Sequence, residues 1–160
     1  MSGTLSIRSA SPEDAKVICG FLQKLLQMEE EMDPHFSGTA TDPDTMREML
    51  EERSVCALLA YQGETPVGVA VYHTYRLAGA MGRYVIYLEE LFCEDSCRGI
   101  GVGYALMQKL CEIAKELNCV KIEWKCLTEN HSAIRFYEKL GAEIDPVLVT
   151  FTWKKPNFLK

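Results

Sequence analysis

The sequence predicts an α/β fold with a mixed central sheet and helices on both faces, and three observations carry that prediction. Apolar, β-branched and aromatic runs of strand length recur at residues 55–61, 67–75 and 84–93. Around them stand segments whose apolar residues return at helical spacing. A glycine-rich turn, Arg98-Gly99-Ile100-Gly101-Val102-Gly103, joins the third of those runs to a long amphipathic helix. At 160 residues the chain is expected to form one domain, residues 1–160, able to bury a core without cross-links.

The elements follow in order. Leu5-Ser6-Ile7-Arg8 alternates as a short first strand. Ser11, Pro12 and Asp14 then form a helix start: a cap, a proline suited to the first helical position, and an acid three residues after the cap. Ala15, Ile18, Phe21, Leu22 and Leu25 make that helix's buried face, and the helix runs into Glu29-Glu30-Glu31-Met32-Asp33 before Pro34 stops it. Asp42-Pro43-Asp44 opens a second, shorter helix carrying Met46, Met49 and Leu50.

Residues 55–61 and 67–75 read as an antiparallel hairpin across residues 62–66, followed by a glycine-containing loop over 76–82. The strand 84–93 leads through the glycine turn into a helix with apolar residues at Val102, Ala105, Leu106, Leu110, Ile113, Ala114 and Leu117, ending near Asn118. A strand at 120–126 and a helix at 132–140, stopped by Gly141, come next. Finally Val147, Val149, Phe151 and Trp153 alternate with Leu148, Thr150, Thr152 and Lys154, the pattern of a strand with one buried face. The predicted order is βααβββαβαβ, with room for one more strand around Ile144.

Composition excludes some classes of function. A formal net charge of −6 argues against a nucleic-acid surface, which needs clustered Lys and Arg, and favours a cationic partner. No apolar run approaches membrane-spanning length, and the first residues carry no apolar signal core, so a soluble, cytoplasmic protein without a membrane partner is expected. The seven cysteines show neither a Cys-x-x-Cys pair nor zinc-like spacing with the three histidines, which predicts free thiols and no metal. Cys97, beside the glycine turn, reads either as a modifiable thiol or as a small packing residue.

At the glycine turn, Gly99, Gly101 and Gly103 place no side chain over the start of a helix. Its unpaired N–H groups and its dipole favour an anion there, and the room suits a pyrophosphate. Arg98-x-x-Gly101-x-Gly103 resembles the Arg/Gln-x-x-Gly-x-Gly/Ala signature of the GCN5-related N-acetyltransferase (GNAT) family, and Asn130-x-x-Ala133-x-x-Phe136-Tyr137-x-x-x-Gly141 resembles its second motif. The resemblance covers nearly the whole chain and implies the GNAT fold. It also implies acetyl-CoA as co-substrate, held by Leu91 and Cys93 on the strand, by Arg98, Gly99, Ile100, Gly101, Val102 and Gly103 at the turn, and by Asn130 and Tyr137. Within the family, Tyr87-Leu88-Glu89-Glu90-Leu91-Phe92 is similar to the spermidine/spermine and thialysine N-acetyltransferase group. That likeness implies Glu89 as a base working through water, Tyr137 as the acid, and Glu29 and Glu90 in contact with a cationic substrate. It also implies a homodimer, to which the sequence adds an apolar-ended arm at residues 154–159.

The residues support the same chemistry independently. Glu89 and Glu90 are adjacent carboxylates in an apolar strand, so one of them points to a covered layer unless a bulge intervenes. A buried carboxylate has its pKa raised toward the range of a general base; the alternative is an ion pair with Arg83 or a lysine. The phenol of Tyr137 can protonate a departing thiolate, since phenol and thiol pKa values lie at about 10 and 8.5. The acids Glu29 to Asp33 oppose the helix dipole, and read equally as a cation-attracting rim or a solvated helix end.

The expected activity is therefore acetyl transfer by direct attack of a primary amine of a small cationic acceptor: a diamine, a polyamine or a thialysine-like amino acid. Two alternatives stand beside it, a catalytically idle acyl-CoA-binding subunit and a GNAT enzyme acting on a protein amine. Retention of Glu89, Glu90 and Tyr137 together favours the enzyme.

Overall fold

The computed structural model describes residues 3–153. The chain falls into two compact units, one running to Glu129 and the other beginning at Asn130. In the first, five strands form one sheet in the order β1-β2-β3-β4-β5: β1 (Leu5–Ser9), β2 (Cys56–Gln62), β3 (Thr65–Leu77), β4 (Arg83–Cys93) and β5 (Lys121–Trp124). The first four pair antiparallel with their neighbours, while β4 and β5 run parallel. The sheet is mixed, as the sequence predicts.

Both faces are covered. On one lie α1 (Ala15–Met32) and α2 (Pro43–Glu51), whose Ile18, Phe21, Leu25, Met46 and Leu50 are buried against Leu59, Val69, Val71 and Phe92. On the other lies α3 (Val102–Glu116), with Val102, Leu106 and Leu110 fully buried. Gly68 of β3 allows that helix to approach: a Cβ there would meet a Val102 methyl at 3.0 Å and one of Leu106 at 3.4 Å. The periodicities that predict these helices therefore mark the faces that are buried, except at Leu117, which is exposed at the end of α3.

Local chemistry sets the element ends. A 3-10 turn, Pro12–Asp14, precedes α1, and the Ser11 N–H donates to the Asp14 carboxylate at 2.8 Å. Arg8 of β1 grips the same carboxylate through two contacts of 2.8 Å and holds Asp14 down to about 2. The Asp42 side chain accepts from the N–H groups of Asp44 and Thr45 and so caps α2. Asn118, at φ 52°, turns the chain out of α3, and Cys119 N–H closes on the Ala114 carbonyl. The loop expected at 76–82 is present but shorter, because β3 continues to Leu77; a 3-10 turn, Ala78–Ala80, then leads through Met81 and Gly82 into β4.

The second unit contains α4 (His131–Lys139), which Gly141 follows in the left-handed conformation at φ 88°. The strand predicted over 147–153 is corrected here: those residues form no strand, nor does the region around Ile144. Val147, Val149, Phe151 and Trp153 are exposed, Phe151 at 92%. Alternation specifies which face of a strand would be buried, but a strand also needs a neighbour to complete its hydrogen bonds. Here Asp145 Oδ1 instead accepts from both Val147 N–H and Leu148 N–H at 2.8 Å, which bends the segment at its start. The arm at 154–159 lies outside the described residues. Among the described residues, no helix is long and apolar enough to cross a membrane and no cluster of three metal-ligating side chains forms.

Candidate active site

The site begins with a fault in the β3–β4 ladder. Val71 faces Glu90 and Tyr72 faces Leu88, so Glu89 has no residue opposite it. It is the surplus residue of a β-bulge, which breaks the alternation of side chains along the strand. Glu90 shares its face with Val71, toward α1 and α2. Because of the bulge, Glu89 and Glu90 both line the same cavity of about 140 Å³, rather than pointing to opposite faces of the sheet.

That cavity is largely apolar. Leu22, Leu25 and Leu26 of α1, Met46 and Met49 of α2, and Val71 of β3 contribute its walls. Its polar end carries Glu29 together with Glu89 and Glu90, so the last turn of α1 delivers one acid of its cluster to the site. Burial pushes Glu90 up from 4.5 to about 7, and the neighbouring Glu29 and Glu89 add to the shift. Burial raises Glu29 as well. Three acids gathered at one end of a cavity favour a cation in their midst.

Glu89 is held differently. Its Oε1 stands 2.6 Å from Nδ1 of His73, which is stacked on Tyr87 with ring centroids 5.3 Å apart. The alternative reading of an ion pair with Arg83 or a lysine is not the arrangement seen for Glu89, whose partner is a histidine from β3. Arg83 Nε points back to the Ala80 carbonyl.

A second feature lies on the opposite edge of β4. Pairing with β5 covers only Val85, Ile86, Tyr87 and Leu88; from Glu89 to Cys93 that edge has no strand beside it among the described residues. Leu91 and Cys93 therefore lie on backbone able to hydrogen-bond an extended ligand containing amides. The same strand runs into the glycine turn. Gly99 and Gly101 adopt φ of 80° and 90°, and a Cβ on either would stand in open space. The turn thus presents bare backbone at the N-terminus of α3, where orphan N–H groups and the dipole converge. Arg98, paired with Asp95 at 2.8 Å, flanks it, Ile100 is half exposed, and Gly103 occupies the first turn beyond buried Val102. An open edge for amides followed by an anion-binding turn fits a phosphopantetheine arm and its pyrophosphate.

Cys93 bears on the reaction route. Burial pushes its thiol up to about 11, so it stays protonated near neutral pH and is a poor nucleophile. Cys97 is buried beneath the turn, where the packing role is the one it fills. In the second unit, Asn130 caps α4, its Oδ1 accepting from Ala133 N–H at 3.1 Å. Tyr137 is half-buried one turn before the helix end, beside Phe136 with ring centroids 5.3 Å apart.

The model of the acetyltransferase (GNAT) family matches residues 22–142, three quarters of the chain and all of the site residues named above. The chain belongs to the GNAT family. This acetyltransferase is 26% identical over 132 residues to a thialysine N-epsilon-acetyltransferase of Caenorhabditis elegans, covering 82% of this chain and 79% of that protein. Over 60 residues it is 40% identical to a glucosamine 6-phosphate N-acetyltransferase of Trypanosoma brucei brucei, 38% of this chain and 39% of that one. A ribosomal-protein-alanine N-acetyltransferase from Brucella melitensis biovar Abortus 2308 shares the fold, with a TM-score of 0.73 at 18% identity over 94% of this chain and 100% of that one. Those names carry three different acceptors. Family membership thus establishes acetyl transfer, for which GNAT enzymes use acetyl-CoA, and leaves the acceptor to the site.

Sequence reasoning allowed for a bulge at Glu89 and Glu90 but missed His73, which the bulge makes a neighbour of Glu89. One signal was present: His73 is a titratable side chain within the otherwise apolar run 67–72 and its aromatic continuation. The loop between α1 and α2, which brings Phe36 and Thr39 to the cavity, carried no comparable signal.

Proposed function

We propose that this acetyltransferase moves the acetyl group of acetyl-CoA to a primary amine of a small cationic acceptor, a diamine, polyamine or thialysine-like amino acid. The observation that carries the reading is the convergence of Glu29, Glu89 and Glu90 on one cavity. A relative named for thialysine acetylation supports it. The apolar walls suit an aliphatic chain between two cationic ends, one drawn to Glu29 and Glu90 while the other gives up its proton.

Acetyl-CoA supplies an activated acyl group on sulfur. Backbone N–H groups of residues 99–103 bind its pyrophosphate, and the open edge of β4 at Leu91 and Cys93 aligns its amides. Glu89, exposed enough to be reached by water, accepts the ammonium proton through a water molecule. The free amine then attacks the thioester carbonyl directly, since the thiol of Cys93 is too weak an acid to serve as an intervening nucleophile. Tyr137 donates its phenolic proton to the departing sulfur, and Asn130 contributes to cofactor binding, both assignments resting on family resemblance. Resemblance also leads us to propose a homodimer, for which light scattering at micromolar concentration should return twice the 18.1 kDa of the chain.

The test is CoA release across diamines, spermidine, thialysine and a monoamine with an uncharged tail, at low and high salt, for parent and Tyr137→Phe. Dications should exceed the monoamine, and their advantage should shrink with salt. Tyr137→Phe should lower turnover about a hundredfold while leaving acetyl-CoA affinity in place. Equal rates on all amines at both salt concentrations would discard the cationic acceptor.

A further inference from the structure

We propose that His73 is the positioning residue for Glu89, so that the proton acceptor of this enzyme works as a histidine-oriented carboxylate. The inference rests on the reading of Glu89 as that acceptor. It is drawn from how the two side chains are held.

Glu89 is the residue least constrained by the sheet. As the surplus residue of the bulge it lacks a partner in the ladder, and its side chain is about a third exposed. One contact fixes it, between Oε1 and Nδ1 of His73 at 2.6 Å. A carboxylate in the form that can take a proton only accepts, so in that form Nδ1 is the donor. One oxygen is thereby pinned, and Oε2 is left to take a water or an ammonium.

His73 is in turn well placed to hold another group. It lies opposite Tyr87 in the ladder and stacks on that ring at 30°, with the Tyr75 ring 6.3 Å away between centroids. Tyr75 donates to Glu123 of β5, which Lys121 also contacts at 2.5 Å. Two charged groups share the cavity with Glu89, Glu90 on its own strand and Glu29 from α1. Both are acids, so neither can pin Glu89 in its charged form, and His73 supplies the donor they cannot.

Two substitutions separate the hydrogen bond from the stack. His73→Phe keeps a ring against Tyr87 and removes the donor; His73→Asn keeps an N–H at the δ position and removes the ring. If His73 positions Glu89, His73→Phe lowers kcat about ten- to a hundredfold with KM for acetyl-CoA unchanged, and His73→Asn restores most of that loss. In the cycle with Glu89→Gln, the double variant His73→Phe/Glu89→Gln should be no slower than Glu89→Gln alone. Thermal melts of each variant verify folding. A His73→Phe enzyme as fast as the parent, a His73→Asn enzyme as slow as His73→Phe, or additive losses in the cycle would each overturn the inference and leave Glu89 as base. A Glu89→Gln enzyme with full kcat would remove Glu89 from proton transfer, and the positioning role with it.

Discussion

The two halves of β4 have different tasks. From Val85 to Leu88 the strand is paired on both edges, with β3 and β5, and Val85, Ile86 and Leu88 are buried. From Glu89 to Cys93 it carries two carboxylates and, among the described residues, pairs with β3 alone and has an open edge. The boundary is the bulge. Residues satisfied on every side stabilise the fold, and residues left partly unsatisfied a few ångströms further on are available for a ligand. Substitutions on either side of the bulge should therefore fail in different ways.

The largest effect belongs to the paired half. Ile86 is fully buried, opposite Thr74 on β3 and Ile122 on β5. Ile86→Ala should lower the free energy of unfolding by about 2–5 kcal/mol, read from urea denaturation. Protein that remains folded should bind acetyl-CoA as the parent does.

An intermediate effect of opposite sign is expected in the open half. Glu90 titrates at about 7 in the folded chain against an ordinary 4.5, so the native state keeps its proton to higher pH than the unfolded one. Stability is then lost as pH rises from about 4.5 to about 7, and is lowest above that window. Glu90→Gln should be more stable than the parent at pH 8, on the order of 2 kcal/mol, and indistinguishable from it below pH 4. Acceptor capture moves the other way. In the parent, kcat/KM for a dication should rise through pH 7 as Glu90 ionises, and in Glu90→Gln that limb should vanish. A Glu90→Gln enzyme with unchanged melting temperature and unchanged pH profile would mean that Glu90 is well hydrated.

The smallest effect sharpens the same point. Glu29 is the second cause of the Glu90 shift, after burial. Glu29→Gln should move the pH limb of kcat/KM to lower pH, and should weaken dication capture by about 1 kcal/mol or less at low salt. A limb that stays in place would show that burial alone tunes Glu90.

Much of this was legible in the sequence because the relevant signals are local. The helix faces of α1 and α3, the cap at Asp42 and the turn at Gly99 and Gly101 depend on residues a few positions apart, and periodicity and turn chemistry report them. The adjacency of Glu89 and Glu90 was visible too. Their shared orientation was not, since it depends on which β3 residue faces which β4 residue, a register that no local pattern encodes. His73 went unread for the same reason: it stands 16 residues before Glu89, and only the folded hairpin makes them neighbours. The misread strand at 147–153 is the converse case, a local pattern that no neighbouring strand completes.

The bulge can also be expressed as a length. Between Val71 and Tyr72 on one strand and Leu88 and Glu90 on the other, β4 is one residue longer than its ladder needs. A chain lacking that single residue would pair its two central strands without interruption and would make a more regular sheet. It would also have one carboxylate where this one has two, and nothing for His73 to hold. On the proposed reading of Glu89, the capacity for proton transfer is encoded as one amino acid of excess strand.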